Sequence, residues 1–264
     1  MDSAVNPQLQ FNEAYTLTFG DCAENHKGMQ IIGTAAENGF TESHLSTTQQ
    51  WFLQHGRTCH IYDIRTLLPA EYQAYATPAY LLVAYQGLSA ILDPDQLYQE
   101  QRGLAKDTQA FMYGRVVNKH ARHNLCFGEH GQAANYQAGQ GTVVAFQDVP
   151  QLNYLRQSWS TVIGEAASNL YAEGNYYHDL LKCGIGYHGD SERKKVVAVR
   201  LGAHIPLCYQ WFQHSKPVGQ RGIINLGHGD IYMMSDKAVG YDWKLKNTLT
   251  LRHAAGAQKY ITHD

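Results

Sequence analysis

After Arg193 the chain is written as apolar stretches parted by short polar turns, and this spacing constrains the fold more than any other feature. Val196-Val-Ala-Val-Arg-Leu-Gly202 is the first such stretch; later ones lie in His228-Gly-Asp-Ile-Tyr-Met-Met234 and Leu249-Thr-Leu-Arg252. A succession of short apolar strands joined this way is what a double-stranded β-helix of jelly-roll type requires. Leu152, Leu155, Trp159, Val162 and Ile163 instead recur at helical spacing, with Pro150 suited to a first turn and Gly164 to an end. The expected class is α+β, a jelly-roll core with flanking helices.

The front reads differently. Residues 14 to 20 alternate like a strand, residues 41 to 55 read as a helix ended by Gly56, and residues 58 to 68 read as a second strand. Residues 79 to 85 then read as a buried strand, with Asp93-Pro-Asp95 capping a helix. This divides the 264 residues into an N-terminal strand-helix-strand extension, 1–78, and a core domain, 79–264.

Composition narrows the function classes. A net charge of -2 provides no global basic field, so any contact with nucleic acid must come from local patches. The opening Met1-Asp-Ser-Ala-Val-Asn-Pro7 lacks a charged leader with an apolar core, and no run of 18 apolar residues occurs, so no membrane partner is expected. The five cysteines are odd in number, widely spaced and free of Cys-x-x-Cys pairs, which suits reduced thiols in an intracellular, cytoplasmic or nuclear, setting.

The chemistry concentrates at His188-Gly-Asp190. A His and a carboxylate two residues apart on an extended chain point to one face, so both can bind one metal. A distant second His would complete a facial triad that leaves positions open on Fe(II). With 14 His and 23 acidic residues the pair alone is weak, and a hydrogen-bonded surface His would produce it too.

Its surroundings are more specific. Asn175, Tyr177 and Asp179, then Ile185, Gly186, His188, Asp190 and Glu192, then the strand ending Leu201-Gly202, follow in order the motifs of the AlkB-like iron(II)/2-oxoglutarate dioxygenases. The chain resembles that family over about residues 80 to 256, most clearly after Asn175. The resemblance makes His228 to Met234 a core strand and Leu249 to Arg252 the closing strand. It implies an enzyme that couples oxidative decarboxylation of 2-oxoglutarate, giving succinate and carbon dioxide, to hydroxylation or demethylation of a nucleobase. Fe(II) and 2-oxoglutarate are its expected cofactor and co-substrate, with ascorbate a further candidate.

The third ligand departs from the family pattern. Gly240-Tyr-Asp-Trp-Lys-Leu-Lys246, where the family places its distal His, contains none, and the hairpin that should precede Arg252 is short. His253 is the preferred ligand, with His228 a rival and Asp242 or water the alternative in an incomplete site. Resemblance gives the far carboxylate of 2-oxoglutarate to Arg252, with Asn175 and Tyr177 donating hydrogen bonds. Adjacent strand residues face opposite ways, however, so Arg252 and His253 conflict, and Arg200 or Lys246 becomes the alternative cation. An outward surface charge is the plain reading of Arg200.

Substrate contacts are expected from the region where the family carries its lid. Tyr113, Arg115, Lys119, Arg122 and His123 offer cations for phosphates and rings for a flipped base, beside His120, Phe111 and Phe127. A solvated basic loop would look the same. Asp21, Glu24, Asn25 and His26 form a second polar cluster, able to line a cleft, bind a partner or cap the next helix. Nucleic acid or a nucleotide is the leading substrate class; a small molecule or protein residue, and a non-catalytic binding role, stay open.

Overall fold

The structure, a computed structural model, describes residues 11–262; the opening Met1 to Pro7 lies outside them. It is a mixed α+β fold built mostly of strands. The larger sheet runs β4 (Cys59–Asp63), β5 (Tyr80–Ala84), β15 (Ile231–Met234), β12 (Val196–Gly202), β1 (Ala14–Gly20), β10 (Tyr171–Tyr177), β8 (His123–Gly128), β9 (Val143–Ala145). The smaller runs β11 (Gly184–His188), β16 (Thr250–Gly256), β13 (Ile205–Gln213), β14 (Lys216–Leu226). Two hairpins stand apart, β2 (Cys22–Glu24) with β3 (Ile31–Gly33) and β6 (Gln109–Met112) with β7 (Arg115–Asn118).

The two-residue period of the central strands gives the larger sheet two different faces. Leu17, Phe19, Val197, Val199 and Leu201 pack in one core with Leu45 and Phe52, Leu97, and Leu152, Leu155 and Trp159. Those partners belong to the helices Glu42–Gln54, Pro94–Gly103 and Pro150–Val162. The alternate residues Val196 and Ala198 pack instead with Leu207, Tyr209 and Trp211 of β13 and Leu251 of β16. Helices therefore cover one face and the smaller sheet the other. Helix starts follow their sequence signals: Thr41 and His44 form a capping box, and the Asp93 carboxylate accepts from the Asp95 amide beside Pro94.

The strand, helix and strand of the front segment form as β1, Glu42–Gln54 and β4, but they are not an appendage. β1 pairs with β10 on one side and β12 on the other, and β4 pairs with β5, so the boundary at 78/79 falls inside a hydrogen-bonded sheet. All seven residues of β1 are buried, which suits a central strand and not an edge. β4 also stops at Asp63, whose carboxylate caps a short turn of 3-10 helix, Ile64–Leu67. Leu249 to Arg252, expected as the closing strand, lies at and within the start of β16, which pairs with β11 and β13 in the smaller sheet. Among the described residues no helix is long and apolar enough to cross a membrane.

Lys119 needs a second correction. It is buried, not presented to a substrate, and its Nζ donates to Oδ1 of Asn25 at 2.6 Å and of Asn124 at 2.5 Å. Asp107 accepts from Asn25 Nδ2 at 2.7 Å, Tyr136 Oη at 2.9 Å and Thr142 Oγ1 at 2.7 Å, so this network ties the loop after β2 to β8. Burial pushes the Lys119 ammonium down to about 8.

Two predictions follow from packing and burial. Phe19→Ala should lower the unfolding free energy by about 3–5 kcal/mol in urea titrations, whereas truncation of the half-exposed Leu53 should cost under about 0.5 kcal/mol. Between pH 8 and 10 the folded protein has released the Lys119 proton while the unfolded chain still holds it, so stability rises with pH across that window. Against Lys119→Met, the wild-type unfolding free energy should climb by about 1 kcal/mol per pH unit there; parallel curves would show that the lysine keeps its charge.

Candidate metal centre

β11 and β16 are antiparallel neighbours, and His188 lies directly across from His253 in their register. Directly opposed residues share a face, so two histidines 65 positions apart in sequence meet by pairing alone. Their ring centroids are 4.5 Å apart. Asp190 follows two residues on, just past the end of β11 at His188. Gly189 permits a close backbone approach: a Cβ there would sit 2.0 Å from the Gly240 carbonyl oxygen. The Asp190 amide donates to Val239 O at 3.1 Å, fixing the carboxylate beside both rings.

Asp190 Oδ1 is 3.5 Å from His188 Nε2 and 3.7 Å from His253 Nε2, and one ligand atom from each residue lies within 4.8 Å of the others. The 2.8 Å contact of His188 Nδ1 with Gly186 O orients the ring so that Nε2 faces Asp190. Burial pushes the Asp190 carboxyl up, but hydrogen bonds from His188 and His253 and the charges of His253 and Arg193 outweigh it and hold the group well below the usual carboxylate range. Burial, then the neighbouring His188, pushes the His253 imidazole down. A carboxylate and two imidazoles are the donor set a divalent transition metal takes.

The triad opens on a cavity of about 550 Å³ between the sheets. Arg200 lines it and is 1 % exposed, which removes the surface-charge reading. Its Nη1 donates to Thr16 Oγ1 at 2.6 Å, the rings of Tyr177 and Tyr232 lie about 6 Å away at 6.0 and 5.8 Å, and its buried Nε has no protein partner. A buried guanidinium with an unfilled donor fits a carboxylate. Arg252 does not line the cavity; strand alternation turns it outward, where it stacks on Phe212 at 4.0 Å and Trp243 at 5.3 Å. Lys246 is exposed in the turn before β16.

Asn175 and Tyr177 both line the cavity, Asn175 bridging Glu173 Oε1 at 2.9 Å and Arg122 Nε at 2.6 Å. The rival third ligands lie elsewhere: Asp242 pairs with Lys237 at 2.6 Å, and His228 stacks on Phe11 and accepts from the Gly202 amide. Of the expected substrate contacts only Arg122 lines the cavity. Tyr113 and Arg115 are exposed at the β6–β7 turn, and His123 stacks on His178 beside a smaller separate cavity. The basic stretch is thus dispersed by its own hairpin.

Sequence reasoning missed Trp243, Lys27 and Lys244, which line the cavity, Lys27 and Lys244 standing 5.1 and 5.8 Å from the Trp243 ring. The polar cluster after Phe19 did signal part of this wall, since Glu24 and His26 also line it. Trp243 gave no signal, because its segment was read only for a histidine.

No family model matches the chain. It is 46% identical over 252 residues to the uncharacterized protein R156 of Acanthamoeba polyphaga mimivirus, covering 96% of this chain and 99% of that protein. The chain therefore belongs to the family of that mimivirus protein.

Proposed function

We propose that the protein is an iron(II)- and 2-oxoglutarate-dependent oxygenase of AlkB-like type, acting on a nucleobase in nucleic acid or a nucleotide. The observation that carries this reading is the convergence of His188, Asp190 and His253 on the floor of a cavity that also holds the unpartnered Nε of Arg200. The corresponding fold is a jelly roll made of β15-β12-β1-β10 facing β11-β16-β13-β14. From β10 to β16 the chain visits larger, smaller, larger, smaller, smaller, larger and smaller sheet, and β1 supplies the eighth strand.

His188, Asp190 and His253 would hold iron, whose chemistry with 2-oxoglutarate and oxygen is oxidation of a substrate C–H bond. Arg200 would bind the far carboxylate of 2-oxoglutarate, assisted by Tyr177, while Thr16 holds its guanidinium in place. Asn175, tied on both sides, orients Arg122 at the wall. Trp243 with Lys27 and Lys244 offers a ring and two cations at the same cavity, a combination suited to a base and its phosphates. Glu24 and Glu192 favour a second reading, oxidation of a cationic small molecule or protein side chain, since both line the cavity. The non-catalytic alternative rested on a missing third ligand, and His253 weakens that ground.

Purified protein supplied with Fe(II), ascorbate and 2-oxoglutarate should release succinate, and His188→Ala and His253→Ala should each abolish it; equal release by the variants would sink the proposal. Arg200→Met should raise KM for 2-oxoglutarate about 100-fold, the scale of removing one partner of a buried charge pair. Arg252→Met should leave KM within about twofold, and the reverse pattern would return the role to Arg252.

A further inference from the structure

Arg193 is 4 % exposed and lies three residues beyond Asp190. Its guanidinium meets three carboxylates. Nη2 is 2.6 Å from Glu173 Oε2 on β10, Nε donates to Glu192 Oε1 at 2.9 Å, and Nε lies 3.8 Å from Asp190 Oδ2. The Asp190 carboxylate is thereby divided: Oδ1 faces both histidines, and Oδ2 faces Arg193. Glu173 is itself held, its Oε1 accepting from Asn175, which accepts from Arg122. A continuous polar chain runs from the cavity wall at Arg122 to the metal-facing carboxylate.

Resting on the oxygenase reading of this site, we propose that Arg193 is the positioning residue for the metal centre. Clamped by Glu173 and Glu192, its guanidinium turns Asp190 so that a single oxygen is presented to the ion. Three physical points carry this. A guanidinium presents its donors in a fixed fork, so two carboxylate partners set its plane as well as its position. A carboxylate pulled from behind by a cation presents its other oxygen forward, as partners behind a metal ligand commonly do. Finally, one guanidinium among three carboxylates leaves the group negative, and a divalent cation at the triad offsets that charge. Arg193 touches no substrate in this scheme; it acts through Asp190.

Cobalt(II) titrations followed through the visible ligand-field bands test the assignment without turnover. Arg193→Lys keeps the charge and loses the fork, and should bind cobalt about 10-fold more weakly with an altered band pattern. Glu173→Gln leaves Arg193 in place but frees it to swing toward Asp190, and should change the bands in the same way. Arg193→Met strips the only cation from a buried acidic group and is prone to unfold, so the two milder variants carry the test, with far-UV circular dichroism matched to wild type. A purely structural Arg193 would lower the thermal midpoint and leave affinity and bands as in wild type, and that result in both variants overturns the proposal. Wild-type protein that takes up no cobalt would instead overturn the oxygenase reading itself.

Discussion

Everything in the molecule depends on β1 lying between β10 and β12. Without it the larger sheet would split into two pieces, and each would expose a row of unpaired backbone groups along a fully buried strand. Its register also places Thr16 opposite Asn175 on one side and Arg200 on the other. The strand thus joins the core and sets the far wall of the cavity in one act. Leu17 and Phe19 anchor it to the helices, while Thr16 and Thr18 keep the cavity side polar but uncharged. The contact from Arg200 to Thr16 then fixes a buried guanidinium whose Nε has no protein partner.

What could be read from sequence followed the range of the forces involved. Helix starts are local, and Thr41, Asp93 and Pro150 marked them well. The apolar runs fixed which segments become strands, because burial on both faces demands continuous apolar or small residues. They could not say which strand neighbours which. The front segment was set apart from the core for that reason, although β1 pairs with both β10 and β12.

The site shows the same division. His188 and Asp190 were legible from spacing, and Gly189 between them lets the chain pack closely against Gly240. His253 was reached by elimination along one segment, and its meeting with His188 is a consequence of sheet register. Lys119 failed for a different reason. Composition counts a lysine as a surface cation, whereas here Asn25, Asn124 and Asp107 surround it in a buried network. A run of charges in sequence says little about a shared surface when a hairpin sends alternate members to opposite sides.

Arg252 and His253 show how far a resemblance can be carried residue by residue. In a strand, only one of two neighbours can face the cavity, and register gives that place to His253, across from His188. Under the proposed function, a cation for the co-substrate would then come from another strand on the same cavity. Arg200 satisfies this, because β12 sends Val196, Ala198 and Arg200 to the side facing the smaller sheet and Val197, Val199 and Leu201 to the helices. Moving the ligand onto β16 and the cation onto β12 are therefore coupled changes.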